Sequence, residues 1–204
     1  MKVILQTSAL LLACLTAASL QASDGSAEYA TCVACHGAAG EGNSALQAPA
    51  LAGQNSNYLI RQLQHFKSGV RGADPKDTLG MQMRGMAGTL ADDAAIENVV
   101  AYIAAFPVPA AQAGYEFNQR NGENQYNSAC GACHGAEAQG NPALNAPRLA
   151  GLDAAYLERQ YKNFGSGLRG AHPKDRYGRQ MKMMATMLRT DADRHDVIGF
   201  ILTQ

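Results

Sequence analysis

Cys32-Val33-Ala34-Cys35-His36 returns 98 residues later as Cys130-Gly131-Ala132-Cys133-His134, and the two pentapeptides hold four of the chain's five cysteines. Two thiols with two residues between them match the spacing of the vinyl groups on a porphyrin, to which they add as thioethers. The histidine that follows then lies under the iron and offers an axial imidazole nitrogen. Cys32, Cys35, Cys130 and Cys133 therefore read as covalent haem attachment points, with His36 and His134 as iron ligands. Two other chemistries use the same atoms. A thioredoxin-like dithiol wants a βαβ setting, and no strand pattern flanks either copy. A zinc site pooling the four thiols would leave both histidines idle and the long interval between the pairs unused.

The motif belongs to a longer repeat. A shift of 98 aligns residues 32–106 with 130–204 without a gap, and about half of the positions are identical. So long a period exceeds that of a solenoid, so each copy should be a whole domain. The join is Pro107-Val108-Pro109-Ala110, where two prolines end a helix and stiffen the exit. The expected division is a secretory signal at 1–22, one domain at 23–107 and a second at 108–204. Lys2 followed by the apolar run Val3 to Leu20, with Ala22 before the cut, carries the signal reading. Export to the periplasm fits covalent haem attachment. Cys14 either leaves with the signal or, in the alternative, is lipidated as an anchor. No later segment is apolar for long enough to span a bilayer.

Each copy reads as helices separated by loops. A short helix enters the first motif from about Ser26, and its counterpart starts near Asn124. The register is imperfect: Tyr29 precedes Cys32 by three residues, whereas Tyr126 precedes Cys130 by four. Tyr58, Leu59, Gln62, Leu63 and Phe66 recur at helical steps and mark a middle helix. The last helix runs from about Asp92 to Phe106, with Ile96, Val99, Val100 and Ile103 on one face. Thr190 is a good N-cap for its partner, with Asp191 and Asp193 in the first turn. The expected fold class is all-α.

Composition narrows the function. Lys plus Arg and Asp plus Glu are 17 each, so no electrostatic case exists for nucleic acid. Tryptophan is absent, and halves of this size are marginal on such cores alone. A large apolar cofactor in each would supply the missing buried surface. Charge is uneven, with residues 23–107 at −3 and 108–204 at +2. Arg176, Arg179 and Lys182 crowd Met181 where the first copy has Thr78, Met81 and Arg84, which suggests different docking partners for the two halves.

An iron held by histidine needs a sixth ligand unless it binds substrate, and a ligand common to both copies should recur. The other histidines fail, because His65 faces Asn163, His172 faces Asp74 and His195 faces Glu97; they read as surface or satisfied residues. Met81, Met183 and Met187 fail too, since they align with Arg179, Gly85 and Thr89. Met83 pairs with Met181 and Met86 with Met184. One of each doublet packs and the other ligates, and spacing leaves the choice open.

The ordered series Cys-x-x-Cys-His-Gly, Ala-Pro-x-Leu-Ala-Gly, Tyr-Leu-x-x-Gln and Met-x-x-Met-Ala before a last helix resembles class I cytochrome c. The tandem arrangement is similar to the periplasmic dihaem cytochrome c₄ family and related c553-type proteins, over nearly all of the mature chain. The resemblance implies two class I domains, each a few helices wrapped around one covalent haem c. It places the ligand seven residues before the leucine that precedes the last helix. Leu90 and Leu188 stand there, which selects Met83 and Met181. It also gives Pro49 and Pro147 the role of accepting a hydrogen bond from the ligand histidine through their carbonyls. Arg71 and Arg169 are candidates to pair with haem propionates, the alternative being solvated arginines in a Gly-rich loop.

An iron capped by histidine and methionine has no open position, so it passes electrons and activates nothing. The implied function is a periplasmic electron carrier between redox proteins, one of which is a candidate membrane oxidase or reductase. The alternatives are a dihaem peroxidase-like enzyme or the electron-entry subunit of an oxidoreductase. A peroxidase needs an open haem with acid–base residues above it, and no distal His or Glu recurs.

Overall fold

The computed structural model describes residues 24–112 and 114–204. The signal segment and Cys14 lie outside the described residues. Among those residues no strand forms, and ten α-helices fall five to each half. The first half holds α1 (Ser26–Tyr29), α2 (Val33–His36), α3 (Ser56–Ser68), α4 (Thr78–Ala87) and α5 (Asp93–Ile103). The second holds α6 (Gln119–Ala129), α7 (Gly131–His134), α8 (Ala154–Ser166), α9 (Arg176–Met184) and α10 (Asp191–Leu202). In the first, α3 packs on α4 and α5 while α1 packs on α5; in the second, α8 packs on α9 and α10 while α6 packs on α10.

Side chains start these helices. Asn55 and Asp153 accept the N–H groups of Tyr58 and Tyr156 to open α3 and α8, and Gly69 and Gly167 close them in the left-handed region. Asp92 caps α5 through Ala95 N–H, and Thr190 caps α10 through Asp193 N–H, as its sequence position suggested. Two helices were not anticipated. The segments carrying the methionine doublets form α4 and α9, opened by Asp77 and Asp175 on Gly80 and Gly178 N–H. Gly80, Gly85 and Gly88 dilute the apolar periodicity that would have revealed α4. The helix expected near Asn124 begins earlier, at Gln119, because Asn118 caps it through Asn121 N–H.

Each half buries its own core. Ile96, Val99, Val100 and Ile103 of α5 pack with Tyr29, Leu59 and Leu90. Val197, Ile198, Ile201 and Leu202 of α10 pack with Tyr126, Leu157 and Leu188, and Ala50 reaches across to join them. The one-residue offset of the tyrosines is absorbed locally. Tyr29 Oη donates to the Gly37 carbonyl at 2.7 Å and Tyr126 Oη to the equivalent Gly135 carbonyl at 2.6 Å. A short α1 followed by a turn lets the earlier tyrosine reach the point that a continuous α6 gives the later one. No helix among the described residues is long and apolar enough to cross a membrane.

Glycine matters where the loop before α9 meets that helix. Gly170 has φ +78°, and a Cβ there would lie 2.2 Å from the Gly178 carbonyl oxygen. Gly170→Ala should therefore cost more than about 1 kcal/mol. Gly85, in the last turn of α4, has nothing near its missing Cβ, and the second copy carries exposed Met183 at that place. Gly85→Ala should gain about 0.5–1 kcal/mol. Denaturant unfolding of the two variants beside the parent checks both signs.

Candidate haem-binding sites

In each half a single helical turn, α2 or α7, carries the Cys-x-x-Cys-His run. Cys35 and Cys133 are exposed, while Cys32 and Cys130 are half-buried, and all four thiols are free. Burial pushes the Cys130 thiol up to about 11, with the Cys133 charge adding to it, and burial also raises Cys32. Among the described residues no three or more His, Cys, Asp or Glu side chains gather into a metal cluster, so the pooled zinc site is not built.

The histidines are arranged alike. Both are buried, and His36 Nδ1 lies 2.8 Å from the Pro49 carbonyl while His134 Nδ1 lies 2.9 Å from that of Pro147. A carbonyl can only accept, so Nδ1 carries the hydrogen and Nε2 keeps its lone pair. His36 Nε2 is buried with no hydrogen-bond partner. A buried bare imidazole nitrogen is costly unless it meets a Lewis acid, and the iron of a haem attached through the adjacent cysteines would be such a group. Burial lowers both histidines' proton affinity, against a smaller opposing pull from the proline carbonyls. They are thus neutral and able to ligate at pH 7.

Met83 and Met181 are half-buried on α4 and α9, while Met86 and Met184 are exposed at 41% and 37%. Sequence reasoning placed the doublets but not the helices that present them.

Arg71 and Arg169 are not solvated loop residues: they are 8% and 7% exposed and lie at a polar seam between the halves. Gln62 Oε1 accepts from Arg71 Nη1 at 2.8 Å and from Arg169 Nη2 at 3.0 Å. Gln160 Oε1 accepts from Arg169 Nη1 at 2.8 Å and from Arg71 Nη2 at 2.9 Å. The four side chains close a ring with approximate twofold symmetry. The same symmetry relates Arg61, which donates to Asn145 Oδ1 and carbonyl, to Arg159, which donates to Gln47 Oε1 and carbonyl. Each ring arginine also lies over a phenylalanine, Phe66 or Phe164, at 4.4 Å. All four guanidiniums have a buried Nε without a partner, and none pairs with a carboxylate among the described residues. Arg71 and Arg169, buried cations so arranged, suit anionic groups, and porphyrin propionates are such groups.

The cytochrome c family model matches residues 22–106 and again 119–204. The chain belongs to the cytochrome c family. Cytochrome c4 of Stutzerimonas stutzeri is 35% identical over 158 residues, covering 72% of this chain and 74% of that protein. A thiosulfate dehydrogenase electron acceptor of Thiomonas intermedia is 36% identical over 156 residues, covering 72% of this chain and 68% of that one. The crystal structure of reduced recombinant cytochrome c4 from Pseudomonas stutzeri superposes with a TM-score of 0.69 at 26% identity, covering 90% of this chain and 97% of that chain. This cytochrome is a tandem all-α dihaem electron-transfer carrier with two covalent haem c groups, at Cys32 and Cys35 and at Cys130 and Cys133. Replacing Cys130 and Cys133 together by alanine should halve the covalent haem per chain, from two to one. Intact mass and a pyridine haemochrome assay of the exported protein read this directly.

Proposed function

We propose that this cytochrome is a periplasmic shuttle, not an enzyme, with each iron closed by one histidine and one methionine. His36 and Met83 serve the first half, within about residues 23–107, and His134 and Met181 the second, within 108–204. The observation that carries the reading is the repeated imidazole: in both halves Nδ1 is tied to a proline carbonyl and Nε2 is left to bind metal. Haem iron, when bound, supplies a one-electron ferric–ferrous couple. The chain's residues do the remainder. Pro49 and Pro147 fix the ring angle and keep the ligand nitrogen basic. Met83 and Met181, half-buried where Met86 and Met184 are exposed, offer thioethers that favour the reduced state. Arg71 and Arg169, steadied by Gln62 and Gln160, hold propionates at the seam, which would bring the two cofactors' edges towards each other.

The apolar start of the chain, with Lys2 ahead of it, supports export. The name of the Thiomonas intermedia relative supports a donor of the sulfur-compound dehydrogenase class, and the name of a second relative, a cbb3-type cytochrome c oxidase subunit, supports an oxidase-linked acceptor. The oxidised protein should show a methionine-to-iron charge-transfer band. Met83→Ala and Met181→Ala should each remove about half of it, while Met86→Ala and Met184→Ala leave it whole. Loss of the band on changing Met86 or Met184 instead would reverse the assignment.

A further inference from the structure

Among the seam contacts without a symmetry mate, one sets a histidine against a carboxylate. His65 Nδ1 lies 3.8 Å from Asp175 Oδ1 of the other half, too far for a hydrogen bond. The repeat puts Asn163 and Asp77 at the matching places, so only one side of the twofold has a titratable base. The His65 side chain is 14% exposed and that of Asp175 5%, and His65 Nδ1 is buried without a partner. The charges that face it come from several elements. Arg61 lies one turn back on α3, Arg71 follows in the loop after α3, and Arg169 and Asp175 come from the second half. Of the helices packed on α3, α4 carries Arg84, near Gly69, and α5 carries Asp93, which accepts from Gln64 Nε2.

We propose that His65 is a redox-linked proton site of this cytochrome: it takes one proton from solvent as an electron arrives from the donor protein, and returns it as that electron leaves. The proposal rests on the reading that the seam arginines hold the haem propionates, because that reading puts the electron's charge near His65. The physics is a competition. Three guanidiniums and burial oppose a fourth positive charge, and the single carboxylate of Asp175 favours it, so the site is poised. An added electron tips the balance towards protonation. By linkage, a group that binds its proton more tightly in the reduced state raises the potential at low pH, and the potential falls as pH rises through its titration. Burial holds His65 below the ordinary histidine range, so the fall belongs to the mildly acidic side.

The test is the reduction potential of both haems in the full holoprotein, measured by spectroelectrochemistry in steps from about pH 4.5 to 8. The parent potential should fall with rising pH in that window, and His65→Asn should abolish the fall. That variant carries the residue found at the equivalent position 163, so it should fold. Asp175→Asn, which keeps an oxygen for Gly178 N–H, should move the fall to lower pH. His172→Asn, at an exposed loop histidine, should behave as the parent. A parent potential flat in pH, or an unchanged fall in His65→Asn, would overturn the proposal. Absence of any reversible one-electron reduction would overturn the carrier reading and the proton site with it.

Discussion

Everything in each half is built around an imidazole held by one nitrogen so that the other is free. The bonds from His36 to the Pro49 carbonyl and from His134 to the Pro147 carbonyl fix tautomer, ring plane and basicity together. The attachment turn places the histidine and the loop that follows returns the proline to it. That loop is anchored in both halves by a buried tyrosine whose hydroxyl reaches the glycine carbonyl just after the histidine. The aliphatic faces of α5 and α10 then back the tyrosines. Small cores without tryptophan suffice because the cofactor completes them.

The seam obeys a different logic. Two buried and two half-buried guanidiniums, three glutamines and an asparagine make a poor source of net stability, since desolvating charge costs several kcal/mol per ion. What such a surface does provide is orientation. Each glutamine oxygen takes one N–H from each half's arginine, so neither half can rotate without breaking the ring. A carrier with two redox centres needs a fixed distance between them, and a directional polar joint supplies it where an apolar one would slide.

Much of this could be read in the sequence because the chemistry is local. A five-residue motif sets the attachment, and N-caps such as Thr190 and the four-residue steps of α3 and α5 announce their helices within a few residues. The 98-residue repeat removed unpaired candidates such as His195 and Met187. Two things were hidden for physical reasons. Helices α4 and α9 are held by their Asp caps and by packing, and their glycines and charges mask any apolar stripe. The seam joins residues about a hundred positions apart, such as Arg159 and Gln47, and no periodicity encodes such a pairing. A signal did exist. Arg61, Gln62 and Arg71 recur unchanged as Arg159, Gln160 and Arg169, and long polar side chains kept in both copies are unusual on a free surface. His65, read as a surface or satisfied residue because it does not recur, proved to face a carboxylate of the other half across the seam.

On the proposed ligation both irons are closed, so that electrons reach the metals and external ligands do not. Exposing the fully reduced protein to carbon monoxide tests it most directly, because the gas binds ferrous haem wherever an axial position is open. Closed irons leave the visible spectrum unchanged at near-neutral pH, with two haems per chain. Rapid, stoichiometric binding at either haem would contradict it.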